Sequence, residues 1–305
     1  MKTAVIGLGA MGKNHARILH DISDLVAVCD TNQSHDRQAL AKRYGTYCYK
    51  NAEIMFKEHK PDFVVVAVPT AQHCETACKA LRHTNVLVEK PMASTAEEAD
   101  KMLFAAHQYK RILGVGHTER FNPVIKYLKE YLALKQILSF NSMRLGISPP
   151  KNPTAGVILD LAIHDIDIFR DITKSKSEHI KGTAYAKKMK LTPFEDHAHI
   201  FLSNGQTTAS ILANWCNPFK IRQLTLTLAD EFIQADLLEQ KISILARQEG
   251  TTETKTVQLE KKEPLRLELE DFIRAVRGLG ESTPRISGEE GLETLKTALA
   301  LELRT

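Results

Sequence analysis

Over residues 1 to 116 short β-branched runs alternate with amphipathic stretches, the rhythm of strand and crossover helix in a parallel sheet. Strands are expected at 3–8, 25–29, 63–68, 86–88 and 112–115, and helices at 14–21, 34–44, 71–82 and 95–109. Phe63-Val64-Val65-Val66-Ala67-Val68 is apolar on both faces, as a central strand covered by two helix layers has to be. Ser94-Thr95-Ala96-Glu97 has the spacing of a capping box at a helix start.

After Asn122-Pro123 the rhythm changes. Helices at 124–134 and 157–172 flank a strand at 136–145. Strand-like runs then follow one another at 180–186, 198–202, 207–214, 222–228, 231–237, 241–246 and 254–259, and strands without intervening helices imply an antiparallel sheet. Two helices, at 265–278 and 288–304, end the pattern. The fold class expected is an α/β domain at residues 1–118, followed at 119–305 by an α+β domain with a large open, mainly antiparallel sheet.

Composition changes this picture little. A chain of 305 residues, 43% hydrophobic, fills two cores, and its formal charge of +4 is spread along the chain. The longest basic cluster, Ala186 to Lys190, is too short for a nucleic-acid footprint and reads as a solvated strand edge. No run approaches the roughly 18 apolar residues of a membrane span, and Gly7, Gly9 and Gly12 interrupt the one N-terminal apolar run that suggests a signal peptide. Cys29, Cys48, Cys74, Cys78 and Cys216 are odd in number and scattered, which points to reduced thiols in a cytoplasmic protein.

Chemistry enters with Gly7-Leu8-Gly9-Ala10-Met11-Gly12, a GxGxxG run that follows a strand and opens a helix. The first glycine permits a tight turn, the second lets backbone amides approach a pyrophosphate, and the third permits close helix packing. Asp30, at the end of the next strand, has the spacing of a carboxylate that accepts hydrogen bonds from an adenosine ribose. Like charges about 4 Å apart repel by about 1 to 4 kcal/mol, which disfavours a 2′-phosphate there. No arginine follows at once, since Thr31-Asn32-Gln33 comes next, so NAD is favoured over NADP.

Lys90, in Val86-Leu87-Val88-Glu89-Lys90-Pro91, falls just past the carboxyl end of a parallel strand, where open α/β sheets bind ligands. A partly desolvated lysine there can exchange a proton near neutrality, although a post-strand lysine is also a common surface charge. Asp160 and His164 stand four residues apart, on one face of a helix whose other residues are largely apolar, so the pair is either a functional couple or a polar stripe. Asp165 and Asp167 extend the polar character. His197 and His199 share a strand face but have no third ligand at suitable spacing, so no metal is expected. His15, His73, Cys74 and Cys78 read as capping or packing residues.

Taken together, the glycine run, Val68-Pro69-Thr70 with His73, Glu89-Lys90-Pro91, and Gly156-Val157-Ile158-Leu159-Asp160 running on to His164 resemble the glucose-fructose oxidoreductase/inositol dehydrogenase/MocA family along essentially the whole chain. The resemblance implies a Rossmann domain, an open-sheet domain, a nicotinamide held between them, and a homodimer or homotetramer formed through the sheets. It implies that Leu8, Met11, Pro69, Thr70, His73 and Glu89 join Gly7, Gly9, Gly12, Asp30 and Lys90 around the cofactor. Lys90, Asp160 and His164 are then the catalytic and sugar-binding residues. The reaction implied is oxidation of a sugar secondary alcohol, with Lys90 or His164 accepting the hydroxyl proton. The segment Gly116 to Pro123 looks like that of members acting on UDP-N-acetylhexosamines, which casts Arg120 and Asn122 as contacts to phosphate or sugar. Simple aldoses and inositol remain alternatives, as does a noncatalytic sensor of dinucleotide or sugar on the same fold.

Overall fold

The computed structural model describes residues 1–32, 34–149, 153–189, 192–248, 251–280 and 283–304. Gln33 and Lys190, the last residue of the basic cluster, lie outside them. The chain forms two compact units, Met1–His117 with Leu265–Leu292 and Thr118–Pro264 with Glu293–Thr305.

The first unit starts β1 (Lys2–Ile6), α1 (Ala10–Ile22), β2 (Asp24–Cys29), α2 (His35–Arg43), β3 (Tyr47–Tyr49), α3 (Ala52–His59) and β4 (Phe63–Val66). It continues with α4 (His73–Leu81), β5 (Asn85–Glu89), α5 (Ala96–Tyr109) and β6 (Leu113–Gly116). The described strands form one six-stranded sheet in the order β3-β2-β1-β4-β5-β6, every pair parallel. The order reverses direction beside β1, so the β1 and β4 carboxyl ends form the crevice where such sheets bind ligands. All four residues of β4 are buried, as a two-sided apolar run requires. Thr95 caps α5, its hydroxyl accepting from the Glu98 amide. The short β3 and α3 were not foreseen, because Tyr47-Cys48-Tyr49 is too brief a run to register as a strand.

The second unit holds α6 (Pro123–Tyr131), β7 (Ser139–Leu145), a π turn (Ile158–Ala162), α7 (Ile163–Thr173), β8 (Lys181–Lys187), β9 (His197–Ser203) and β10 (Thr208–Asn214). Then come β11 (Ile221–Thr227), β12 (Glu231–Asp236), β13 (Lys241–Gln248) and β14 (Thr251–Gln258). With the C-terminal β15 (Glu302–Arg304), these make a nine-stranded sheet, among the described residues, ordered β14-β13-β12-β11-β7-β10-β9-β8-β15. Its pairs are antiparallel except β7 with β10 and β8 with β15. One face carries Phe140, Ala184, Ala198, Ile200, Ile211, Leu224 and Ile233, which form a core with Ile166 and Phe169 of α7.

Two expectations are corrected. The last helix, α9, spans Gly288–Leu299 and does not run on to 304: Leu301 turns inward and the chain ends as β15 against β8. The boundary at 118/119 is likewise incomplete. Helix α8 (Pro264–Val276) returns to the first unit, where Leu265, Leu269, Phe272 and Ile273 join its core and Phe272 meets the Phe63 ring edge-on at 5.1 Å.

Candidate active site

The glycine loop has the geometry its three roles require. Gly7 has φ +92°, and a Cβ there would lie 2.5 Å from the Ala67 carbonyl oxygen. A Cβ on Gly12 would meet the Gly7 carbonyl oxygen at 1.8 Å, whereas nothing lies within 4 Å of the position a Gly9 Cβ would take. That open space adjoins the start of α1, which has no side-chain cap, so its first-turn amides are available to an anion. Leu8 is buried and Met11 exposed. The loop therefore fits a dinucleotide pyrophosphate.

Asp30 is bound to that loop from the other side. One carboxylate oxygen accepts the Leu8 amide at 2.7 Å and the other the Asn32 amide at 2.8 Å. Sequence reasoning missed Arg37, on α2, whose Nε stands 3.0 Å from Asp30 Oδ2 at ion-pair distance. The arginine sought immediately after Asp30 is brought beside it by the first turn of α2 instead.

Lys90, half-buried, follows the last residue of β5, and its amide donates to Glu89 Oε2 at 3.1 Å. Glu89 is buried, and its Oε1 lies 2.6 Å from Nε2 of His15, which is fully enclosed on α1. Burial pushes the Glu89 carboxyl up, but the hydrogen bond and charge of His15 more than offset this and hold it below the ordinary range. His73 is also buried, with Nδ1 2.9 Å from the Pro91 carbonyl and Nε2 2.9 Å from the Val68 carbonyl. Burial pulls its imidazole below the ordinary range, against those carbonyls and Glu89. Glu89 and His73 thus brace the Lys90 turn from within. Pro69 is exposed and Thr70 half-buried at the head of α4.

In the second unit Asp160 lies inside the π turn and His164 is the second residue of α7, both half-buried. The wider turn departs from the regular helix on which their spacing was read, and such single π turns are frequent at functional sites. Gly156 precedes it, where a Cβ would lie 2.0 Å from the Glu195 carboxyl. Asp160 Oδ2 receives the indole N–H of Trp215, itself 2% exposed, at 3.3 Å. Neither Trp215 nor Glu195 was singled out from sequence, being far from position 160 in the chain.

The neighbouring acids serve structure. Arg144, on β7, donates to Asp165 at 2.5 and 3.3 Å and to Glu119 at 2.8 Å. Arg120 donates through Nε and Nη2 to Asp167, both at 2.7 Å, and its Nη1 stands 3.5 Å from Asp171. Asn122 caps α6 through its carbonyl oxygen and donates to the Leu237 carbonyl at 3.0 Å. Arg120 and Asn122 are each 2% exposed. Both side chains are thus paired within the protein. His199 Nε2 pairs with Ser210 Oγ at 2.7 Å, and among the described residues no group of three or more His, Cys, Asp or Glu is placed to hold a metal.

Comparison with known proteins follows the same lines. The chain is 28% identical over 291 residues to UDP-N-acetylglucosamine 3-dehydrogenase of Acidithiobacillus ferrooxidans, covering 90% of this chain and 88% of that protein. A solved structure of that enzyme covers 99% of this chain and 96% of its own, with TM-score 0.90 at 27% identity. The chain is also 31% identical over 192 residues to myo-inositol 2-dehydrogenase of Thermotoga maritima, covering 59% of this chain and 57% of that one. It is 27% identical over 237 residues to glucose-6-phosphate 3-dehydrogenase of Bacillus subtilis, covering 70% and 66%. Residues 1–117 match the model of the GFO_IDH_MocA family, an oxidoreductase family with an NAD-binding Rossmann fold.

Proposed function

We propose that the protein is an NAD-dependent dehydrogenase acting on a secondary alcohol of a sugar or nucleotide sugar, with a UDP-N-acetylhexosamine oxidised at C3 as the leading substrate. The observation that carries this reading is the likeness, over 99% of the chain, to a dehydrogenase of that substrate. Lys90 on the cofactor-binding unit and Asp160 with His164 on the other supply the acid–base groups such a reaction needs.

The nicotinamide supplies a hydride acceptor at its C4. Lys90 takes the hydroxyl proton at Nζ as the alcohol carbon gives up hydride, or His164 does so at its ring. Asp160, oriented by the Trp215 indole, accepts hydrogen bonds from adjacent hydroxyls and fixes which carbon is presented. The rigid turn held by His15, Glu89 and His73 keeps the Lys90 backbone in one place, which is what a positioned base requires.

NADH formation, followed by absorbance with NAD and a panel of UDP-sugars, sugar phosphates, aldoses and inositols, tests the reading. Lys90→Met is expected to lower kcat by about 10²- to 10⁴-fold, the usual worth of a positioned acid or base. Near-normal turnover would remove Lys90 from that role, and tight NAD binding with no reduction by any member of the panel would favour a sensor.

The outer face of the nine-stranded sheet supports a homo-oligomer. Tyr185, His199, Leu212 and Met143 stand opposite one another across β8, β9, β10 and β7, and Tyr185, Phe201 and Met143 are exposed at 49%, 43% and 38%. A second copy presenting the same row would cover it with a self-complementary surface, and light scattering would show a dimer or tetramer. No described helix is long and apolar enough to cross a membrane, and all the cysteines are free thiols, which favours a reducing cytoplasm.

A further inference from the structure

With Arg120 and Asn122 turned inward, the second unit must supply another donor if its substrate carries a phosphate. Arg222 meets that need. In the antiparallel pairing of β11 with β7 it stands directly opposite Arg144, so both guanidinium groups lie on the helix-facing side of the sheet. Like charges so placed repel unless each is compensated, and the two are treated very differently. Arg144 is buried with Asp165 and Glu119 bound to it. Arg222 is half-buried and donates through Nη1 alone, at 2.7 Å, to the Leu145 and Ile221 carbonyls. Among the described residues no carboxylate comes within ion-pair distance of it, and its Nε and Nη2 have no hydrogen-bond partner.

The Nη1 anchor fixes the guanidinium plane, and Nε with Nη2 is the edge that matches two oxygens of a phosphate in a paired geometry. Burial first, and the Arg144 charge second, bring the Arg222 pKa down to about 10, against the pull of Asp165, Glu119 and Asp160. The group stays cationic at neutrality, in surroundings that an added anion would relieve. Asp160 is thus close enough to be felt, which places an anion receptor and a hydroxyl acceptor on the same unit.

We propose that Arg222 is the substrate-anion receptor, binding a phosphoryl group of a nucleotide sugar or a sugar phosphate through Nε and Nη2. The inference rests on the dehydrogenase reading above and deepens it, since it selects phosphorylated over neutral polyols. A hydrogen bond to a charged group contributes about 10- to 100-fold to binding.

Calorimetry of the full-length protein decides the matter, with UDP-N-acetylglucosamine and glucose 6-phosphate as the two phosphoryl sources and N-acetylglucosamine and myo-inositol as neutral probes. Whichever phosphorylated probe binds should lose about 10- to 100-fold in affinity in Arg222→Met, and Arg222→Lys should recover part of that loss, because charge returns without the fork. Binding of NAD and the Tm of the lysine variant should match the native protein. A merely structural role for the Nη1 anchor would weaken phosphorylated and neutral probes alike, whereas the receptor predicts a change in their ratio. Affinity for the phosphorylated probe within twofold of native in Arg222→Met, an equal loss for neutral probes, or oxidation of a neutral polyol by a protein that binds neither phosphorylated probe would each overturn the assignment. Absence of NADH formation with every sugar would instead strike the dehydrogenase reading, and a phosphate affinity dependent on Arg222 would survive it.

Discussion

Replacing His15 by leucine tests whether the Lys90 turn rests on a buried ion pair. In the native protein His15 Nε2 and Glu89 Oε1 are 2.6 Å apart, with side-chain exposures of 0% and 7%, so neither charge is screened by water. Leucine would leave the Glu89 carboxylate buried with the Lys90 amide on its other oxygen but without the imidazole hydrogen bonded to it, and with only the weaker pull of the Lys90 and His73 charges. Breaking a buried pair from one side costs about 3–5 kcal/mol, and at roughly 2–4 °C per kcal/mol in a chain of this size the Tm should fall by about 6–20 °C. Glu89→Gln in the same background removes the stranded charge, so the double variant should be more stable than His15→Leu alone by about 1–3 kcal/mol. The pair also sets a pH dependence. The folded Glu89 carboxyl is held below its ordinary value of 4.5, so its stabilisation is present above that pH and lost as the pH falls through the lower folded value. His15→Leu should flatten that acid limb. Thermal denaturation of the three proteins across the acid range reads both effects. A His15→Leu protein within 1 kcal/mol of native, or one further destabilised by Glu89→Gln, would show that the pair is not ionised and that the turn is held by other contacts.

Three further outcomes follow from the site. Gly12→Ala puts a methyl group 1.8 Å from the Gly7 carbonyl oxygen, so the loop must shift and NAD should bind at least about tenfold more weakly by fluorescence titration. Asp30→Ser removes a like charge from the 2′-phosphate position and leaves Arg37 beside it. The ratio of kcat/KM for NADP over NAD should rise by a factor equivalent to about 1–4 kcal/mol, and an unchanged ratio would place the ribose elsewhere. Arg120→Met strands Asp167 in the interior and should cost about 3–5 kcal/mol of stability with little change in sugar KM, whereas a substrate-binding arginine would show the reverse.

What could be read in the chain depended on how local the cause was. The glycine loop and β4 are determined by residues within a turn of one another, and each took the form its pattern implies, whereas the cap expected at Ser94 with Glu97 forms one residue later, at Thr95 with Glu98. The run of strands after residue 180 likewise announced a mainly antiparallel sheet. Helix α8 was equally plain as a helix, but Leu265, Leu269, Phe272 and Ile273 form a stripe that any core would accept, and only packing on Phe63 shows that it returns to the first unit. Arg120 and Asn122 read as ligand donors because their chemistry suits phosphate. Their partners, Asp167 and the Leu237 carbonyl, lie 47 and 115 residues away, so periodicity carried no sign that the side chains face inward. Asp165 and Asp167, which blurred the reading of Asp160, are separated from it by the same long-range pairing: Arg144 takes one and Arg120 the other. The π turn then sets Asp160 apart from the helix that carries them, against Trp215. The distinction between a structural and a functional carboxylate in this helix is thus made by which arginines the sheet and the segment before α6 bring to it. By the same logic Arg222, opposite Arg144 on β11 and with no carboxylate at ion-pair distance among the described residues, keeps a charge that the proposed phosphoryl group would meet.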